Sequence, residues 1–140
     1  MKYSIKTIAC SLTCLLVGLS AGLLMSSSAQ EQKVFELRTY LATPGNLDKL
    51  HARFRDHTTA IFRKHGMEVV GYWTPTDPDL ADTLVYVLEH SSQEAANASW
   101  RAFGQDPEWQ AVSEASNADG PILQSVERMY MLATDYSPLQ

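Results

Sequence analysis

Three side chains able to meet one ligand alternate along V-F-E-L-R-T-Y-L (34–41), where Glu36, Arg38 and Tyr40 share one face and Phe35, Leu37, Thr39 and Leu41 the other. A carboxylate, a guanidinium and a phenol on one strand face can bind a polar or anionic ligand if that face looks into a cavity. The same trio reads equally well as a Glu–Arg pair closing a network at a subunit seam. His57 falls in an apolar helical stripe between Phe54 and Ile61. An imidazole there could act as general base beside Arg38 or Tyr40, or ligate haem, since it titrates near neutral pH. Its plainer role is a core-edge histidine bonded to backbone. His65 sits at a helix C-terminus, where a cation is favoured on electrostatic grounds alone. His51 and His90 have no informative context. No His, Asp or Glu pair has metal spacing, so no metal is expected. No cofactor is predicted, haem on His57 being the one exception worth testing.

The stretch S-W-R-A-F-G-Q-D-P-E-W-Q (99–110) holds two of the three tryptophans either side of an Asp-Pro. Trp100 lies in line with Ala96 and Phe103, and Trp109 falls in the first turn of the following helix. Both indoles can lean on a sheet. They either fill the core or wall a ligand pocket between helices and sheet, with Trp73 and Tyr86 as further lining.

The elements that must position these groups follow from periodicity. Residues 34–41 alternate as a strand. Leu47, Leu50, Phe54, His57, Ile61 and His65 then recur at three and four, one stripe of a helix that Gly66 stops. Residues 67–74 and 83–90 are strands rich in β-branched and aromatic types. Ser91 and Glu94 stand in capping-box relation, opening a helix to about Phe103. Asp106 caps a shorter helix with Pro107 at its first position, so the Asp-Pro is a hinge between helices. Residues 122–132 form the last strand. The order strand, helix, strand, strand, helix pair, strand predicts an α+β, ferredoxin-like four-stranded antiparallel sheet with its helices on one face.

In the middle strands, Leu84, Tyr86 and Leu88 oppose Val85 and Val87, while Val69 and Trp73 are expected to oppose Val70 and Tyr72. Helices cover one face only. The other would leave several hundred Å² of apolar surface in water, more than a soluble monomer usually tolerates. A homodimer, sheet against sheet in a shared barrel, is expected.

The chain has 140 residues, and Lys2 and Lys6 are the only charges before Glu31. A positive start, an apolar stretch and small residues up to Ala29 make residues 1–29 a secretory signal peptide, with 30–33 a short linker and 34–138 the domain. The protein is therefore expected in the periplasm or secreted, with no membrane in the mature form, and membrane-anchored if the segment is uncleaved. Cys10 and Cys14 both lie inside that segment, which excludes disulfides and thiolate chemistry from the mature chain. Removing Lys2 and Lys6 from the 11 basic residues leaves 9 against 16 acidic ones, a formal charge of −7. That balance argues against nucleic acid or anionic membrane as partner.

The segments F-E-L-R-T-Y, P-G-N-L, R-F-R-D-H-T, F-R-K-H-G-M-E-V-V-G-Y-W, L-V-Y-V-L-E-H, S-W-R-A-F-G-Q-D-P-E-W and T-D-Y-S-P-L together resemble the NIPSNAP family over about residues 34–138. The resemblance implies a dimeric α+β barrel and supplies no catalytic set. The wider superfamily includes cofactor-free monooxygenases, haem-degrading enzymes and haem-containing chlorite dismutases, an analogy at the level of fold. The favoured expectation is an exported homodimer binding a small hydrophobic or planar ligand between sheet and helices, at Glu36, Arg38, Tyr40, His57, Trp73, Tyr86, Trp100 and Trp109. One alternative is a cofactor-free oxygenase or haem-related enzyme using His57 with Arg38 or Tyr40. The other is a structural or interaction module whose pocket is filled by its own side chains.

Overall fold

Alternation with a period of two dictates which side chains of each strand meet the helices. In this computed structural model, which describes residues 32–139, the order is β1 (Val34–Ala42), α1 (Leu47–Arg53), a π-helical turn (Phe54–Thr58), α2 (Thr59–Lys64), β2 (Glu68–Trp73), a 3-10 turn (Pro78–Leu80), β3 (Thr83–His90), α3 (Gln93–Gln105), α4 (Pro107–Ser116) and β4 (Leu123–Leu132). The strands form one antiparallel sheet in the order β2-β3-β1-β4, the ferredoxin-like arrangement expected. The expected signal segment and the cut expected after Ala29 lie outside the described residues. No helix among those residues is long and apolar enough to cross a membrane.

Local chemistry explains the helix ends. Gly66 adopts φ +70, the left-handed conformation a glycine reaches without Cβ strain. The amide of Met67 then donates to the carbonyl of Phe62, and that of Gly66 to Arg63, closing a Schellman motif. At α3 the cap is Ser92, not Ser91: the Ser92 hydroxyl accepts from the Ala95 amide at 3.1 Å, and the helix runs two residues past Phe103. Asp106 caps α4 as expected, accepting from the Glu108 amide at 2.9 Å, with Pro107 first in the helix. Its other oxygen takes Lys64 Nζ at 2.8 Å and His65 Nε2 at 2.6 Å. Those bonds from Lys64 and His65 hold the Asp106 carboxyl well below the usual carboxylate range. One aspartate thus ties the end of α2 to the start of α4.

The first helix departs from its expected stripe. A π turn accommodates one extra residue, so the buried set runs Leu50, Arg53, Phe54, Thr58, Ile61 and Phe62. The hydroxyls of Thr58 and Thr59 donate to the carbonyls of Arg53 and Phe54 at 3.1 and 2.7 Å, across the widened turn. His57 is consequently rotated to the exposed side. The expectation that it belongs to the core-facing stripe is corrected by that insertion.

β2 carries a second irregularity. Its pairing with β3 shifts between Val69 and Gly71, so Tyr72 pairs Tyr86 and Trp73 pairs Val85. Val69 and Tyr72 therefore share the helix face, and Trp73 lies with Val85 on the other. The even alternation expected for this strand is broken by the bulge.

The core lies between helices and sheet. Tyr40, Leu50, Phe54, Ile61, Phe62, Met67, Leu84, Tyr86, Leu88 and Phe103 are all buried there. Aromatic pairs run through both layers: Tyr40–Tyr86 at 5.2 Å within the sheet, Phe54–Tyr86 at 5.2 Å between sheet and helix, and Phe62–Trp100 at 5.5 Å and Phe103–Trp109 at 4.5 Å between helices. The opposite sheet face is different. Trp73 and Met129 are 50% and 58% exposed there, with Leu37, Val85 and Val87 only partly covered. β4 is open on both sides, since Val126 and Leu132 of its helix face are 44% and 58% exposed.

Candidate functional site

Even-numbered parity places Glu36, Arg38 and Tyr40 of β1 toward the helices, beside Tyr86 and His90 of β3 and Arg128 and Tyr130 of β4. The ladders set the neighbours: Arg38 stands between Tyr86 and Arg128, and Glu36 between Leu88 and Tyr130. Glu36 is fully buried and is the hub of the cluster. Its Oε1 accepts from Arg38 Nη1 at 2.8 Å, and its Oε2 from Trp100 Nε1 at 2.6 Å. His90 Nε2 lies 2.9 Å from the same Oε2. The Arg38 guanidinium stacks 4.0 Å over the Trp100 ring, so the indole meets the arginine with its face and the glutamate with its edge.

Burial by itself would raise the Glu36 pKa, but the bonds from His90 and Trp100 and the charge of Arg38 outweigh it and hold the carboxyl below its ordinary value. Burial also opposes the Arg38 charge; Tyr40, Tyr86 and Glu36 beside it more than compensate. The Tyr86 phenol is pushed well up, chiefly by burial. The resting cluster is therefore an ionised carboxylate and a guanidinium, flanked by a neutral phenol.

Not every polar atom in it is satisfied. Arg38 Nε, Tyr86 Oη, His90 Nδ1 and Tyr130 Oη are buried without a hydrogen-bond partner among the described residues. A buried polar atom left without a partner costs about 1–3 kcal/mol. Four of them on one sheet face make the cluster a poor device for stability alone. They are donors and acceptors converging from three strands.

Of the residues singled out from the sequence, Glu36, Arg38, Tyr40, Tyr86 and Trp100 come together here. Trp109 is one ring away: it packs on Phe103, and the Arg53 guanidinium lies 5.2 Å over it. His57 does not join them. It lines a groove of about 530 Å³ between the first helix and α4, with Lys49, Ala52, Arg53, Asp56, Ala111, Val112, Ala115, Ser116 and Asp119. The expected partnership of His57 with Arg38 or Tyr40 is thus not assembled. Trp73 is likewise absent, because the β2 bulge turns it to the outer face, where its indole folds over Gly71; a Cβ at position 71 would stand 2.8 Å from the ring. A separate cavity of about 340 Å³ is lined by His51, Phe54, Arg55, Thr59, Tyr72 and Leu84.

His90, Arg128 and Tyr130 of the cluster, and Arg53 beside Trp109, escaped sequence reasoning. His90 continues the 84-86-88 parity of β3, a signal present in the sequence but overlooked at the strand's end. Arg53 gave a weaker signal: it follows Leu50 by three residues in the regular part of the helix, at the edge of the apolar stripe.

An antiparallel four-stranded sheet with a charged, partly unsatisfied cluster under its helices defines a ferredoxin-like α+β domain with a candidate site between the layers. Within that class, the model of the NIPSNAP family matches residues 35–138, and the chain belongs to this family. The chain is similar in fold to a NIPSNAP family protein of unknown function from Agrobacterium tumefaciens, with TM-score 0.68, 22% identity and coverage of 79% of this chain and 96% of that one. A NIPSNAP-like domain protein from Burkholderia xenovorans gives TM-score 0.67 at 21% identity, covering 77% and 90%. A putative antibiotic biosynthesis monooxygenase from Chloroflexus aurantiacus gives TM-score 0.50 at 16% identity, covering 77% and 99%, a likeness of fold. No functionally curated protein matches the sequence.

Proposed function

We propose that this NIPSNAP domain is an exported homodimer that binds a small hydrophobic or planar ligand between sheet and helices, over the Glu36–Arg38–Trp100 cluster. The observation that carries the reading is the set of four buried polar atoms without partners on that face, at Arg38, Tyr86, His90 and Tyr130. A ligand offering one or two acceptors and a flat apolar body meets them and the Trp100 and Tyr40 rings together. Pairing is supported by the apolar outer face at Trp73 and Met129 and by the uncovered strand β4. Export is supported by Lys2, Lys6 and the apolar run up to Ala29.

Native mass spectrometry of protein purified from its own cells tests all three parts at once. The expected spectrum shows a dimer of chains beginning near Gln30, with a retained small-molecule mass. Tyr86→Phe, which removes an unpartnered hydroxyl, should lose that mass while remaining folded. A wild-type dimer that never carries an adduct, even after incubation with a panel of planar aromatic compounds, sinks the binding reading. An intact N-terminus sinks cleavage.

A further inference from the structure

The groove between the first helix and α4 is not lined by Glu36, Arg38 or Trp100, but it holds a buried charge near Tyr40 and Tyr86 of that cluster. Arg53 is only 5% exposed. Its Nε has no partner, Nη1 reaches the Ser116 hydroxyl at a long 3.3 Å, and the guanidinium lies over the Trp109 ring. Burial presses its pKa down, and only the Tyr40 and Tyr86 phenols oppose that. The contrast with Arg38 is direct: that arginine has a glutamate at 2.8 Å, and Arg53 has no acidic partner among the described residues. A buried charge normally has an ion partner. A guanidinium matches a carboxylate through two parallel N–H donors.

The groove explains where such a partner would come from. Its volume is about 530 Å³, within the range that holds small organic ligands. Ala52, Ala111, Val112 and Ala115 make an apolar trough running to Arg53, and the small alanines keep it open. Asp56 and Asp119 also line it, with Lys49 drawn to Asp119 at 3.6 Å. Two carboxylates there disfavour a multiply charged anion such as phosphate and admit a single charge placed deep against Arg53. The π turn begins directly after Arg53, and across it the Thr58 hydroxyl donates to the Arg53 carbonyl. Such turns are frequent at functional sites.

We propose that this groove is a second binding site, specific for a monocarboxylate with an apolar body, whose acid group is held by Arg53 and Ser116 and whose body lies along Ala52, Ala111, Val112 and Ala115. The site does not depend on the ligand proposed over Glu36.

Titration of the purified protein with sodium octanoate, and separately with octanol, tests it by amide chemical-shift changes. Octanoate should shift Ala52, Ala111, Ala115 and Ser116, with octanol weaker by about tenfold or more, the value of a charge-assisted hydrogen bond. Arg53→Met should weaken octanoate by a similar factor and leave octanol unchanged. If that variant does not fold, Ala111→Phe, at an exposed position on the groove wall, should block octanoate by filling the trough. Equal binding of acid and alcohol overturns the proposal. So does octanoate binding untouched by Arg53→Met or Ala111→Phe, shifts confined to residues around Trp100, or no shift at about 10 mM.

Discussion

Glu36 is the residue on which the candidate site rests. Three groups converge on its two oxygens, and it has no water-facing surface. Glu36→Ala strands the Arg38 guanidinium inside the protein, and removing one member of a buried pair costs about 3–5 kcal/mol. Glu36→Gln keeps an acceptor for Trp100 and should cost less, about 1–3 kcal/mol, the difference being read by urea unfolding. The carboxyl is held below its ordinary value near 4.5, so its contribution to stability is complete above that pH and lost as pH falls through the lower folded value. Wild-type stability should therefore decline on acidification below about pH 4.5. In Glu36→Gln part of that decline should vanish. A decline of equal depth in both proteins would show that this carboxyl is not held ionised by its neighbours.

At the scale of elements, the informative features are the two places where a regular pattern breaks and the aspartate that ties α2 to α4. Asp106 does two jobs, capping α4 and pairing with Lys64 and His65 across to α2. Asparagine caps a helix as well as aspartate does but carries no charge, and alanine does neither. Asp106→Asn should therefore isolate the ion pairs and Asp106→Ala should remove both functions, with the melting temperature of the alanine variant lower by roughly 5 °C from cap loss. Because Lys64 and His65 depress this carboxyl too, the asparagine variant should resist acid better relative to its own neutral-pH stability, the sign following as for Glu36. Identical melting curves for the two variants at neutral pH would remove the cap from the account of α4.

For the whole molecule, the unresolved balance is apolar area. The outer face presents Trp73, Met129 and the half-covered valines of β3, and a lone subunit leaves these in water. Sheet-to-sheet pairing is the economical cover, so sedimentation should find dimers at low micromolar concentration. Trp73→Glu, at a half-exposed position outside the core, should give folded monomers of unchanged circular dichroism. A wild-type protein that sediments as a stable monomer would leave the face unexplained and the barrel unsupported. The groove at Arg53 lies on the helix side of the sheet, so its octanoate binding should survive in the Trp73→Glu monomer.

What the sequence alone determined is the order of elements, the sheet topology and the shared strand face of Glu36, Arg38 and Tyr40, leaving open whether that face meets the helices or a subunit seam. Those follow from local rules: strand parity is strict over short runs, and caps and prolines mark helix ends within a residue or two. His90 was readable by the same parity and was missed at the strand's end. The tertiary structure alone decided the rest. A π turn in the first helix and a bulge in β2 each offset the pattern by one residue, sending His57 and Trp73 out. Such one-residue shifts are chosen by packing against distant partners, Ser116 and Trp109 for the helix and Val85 and Val87 for the strand, which no local periodicity records.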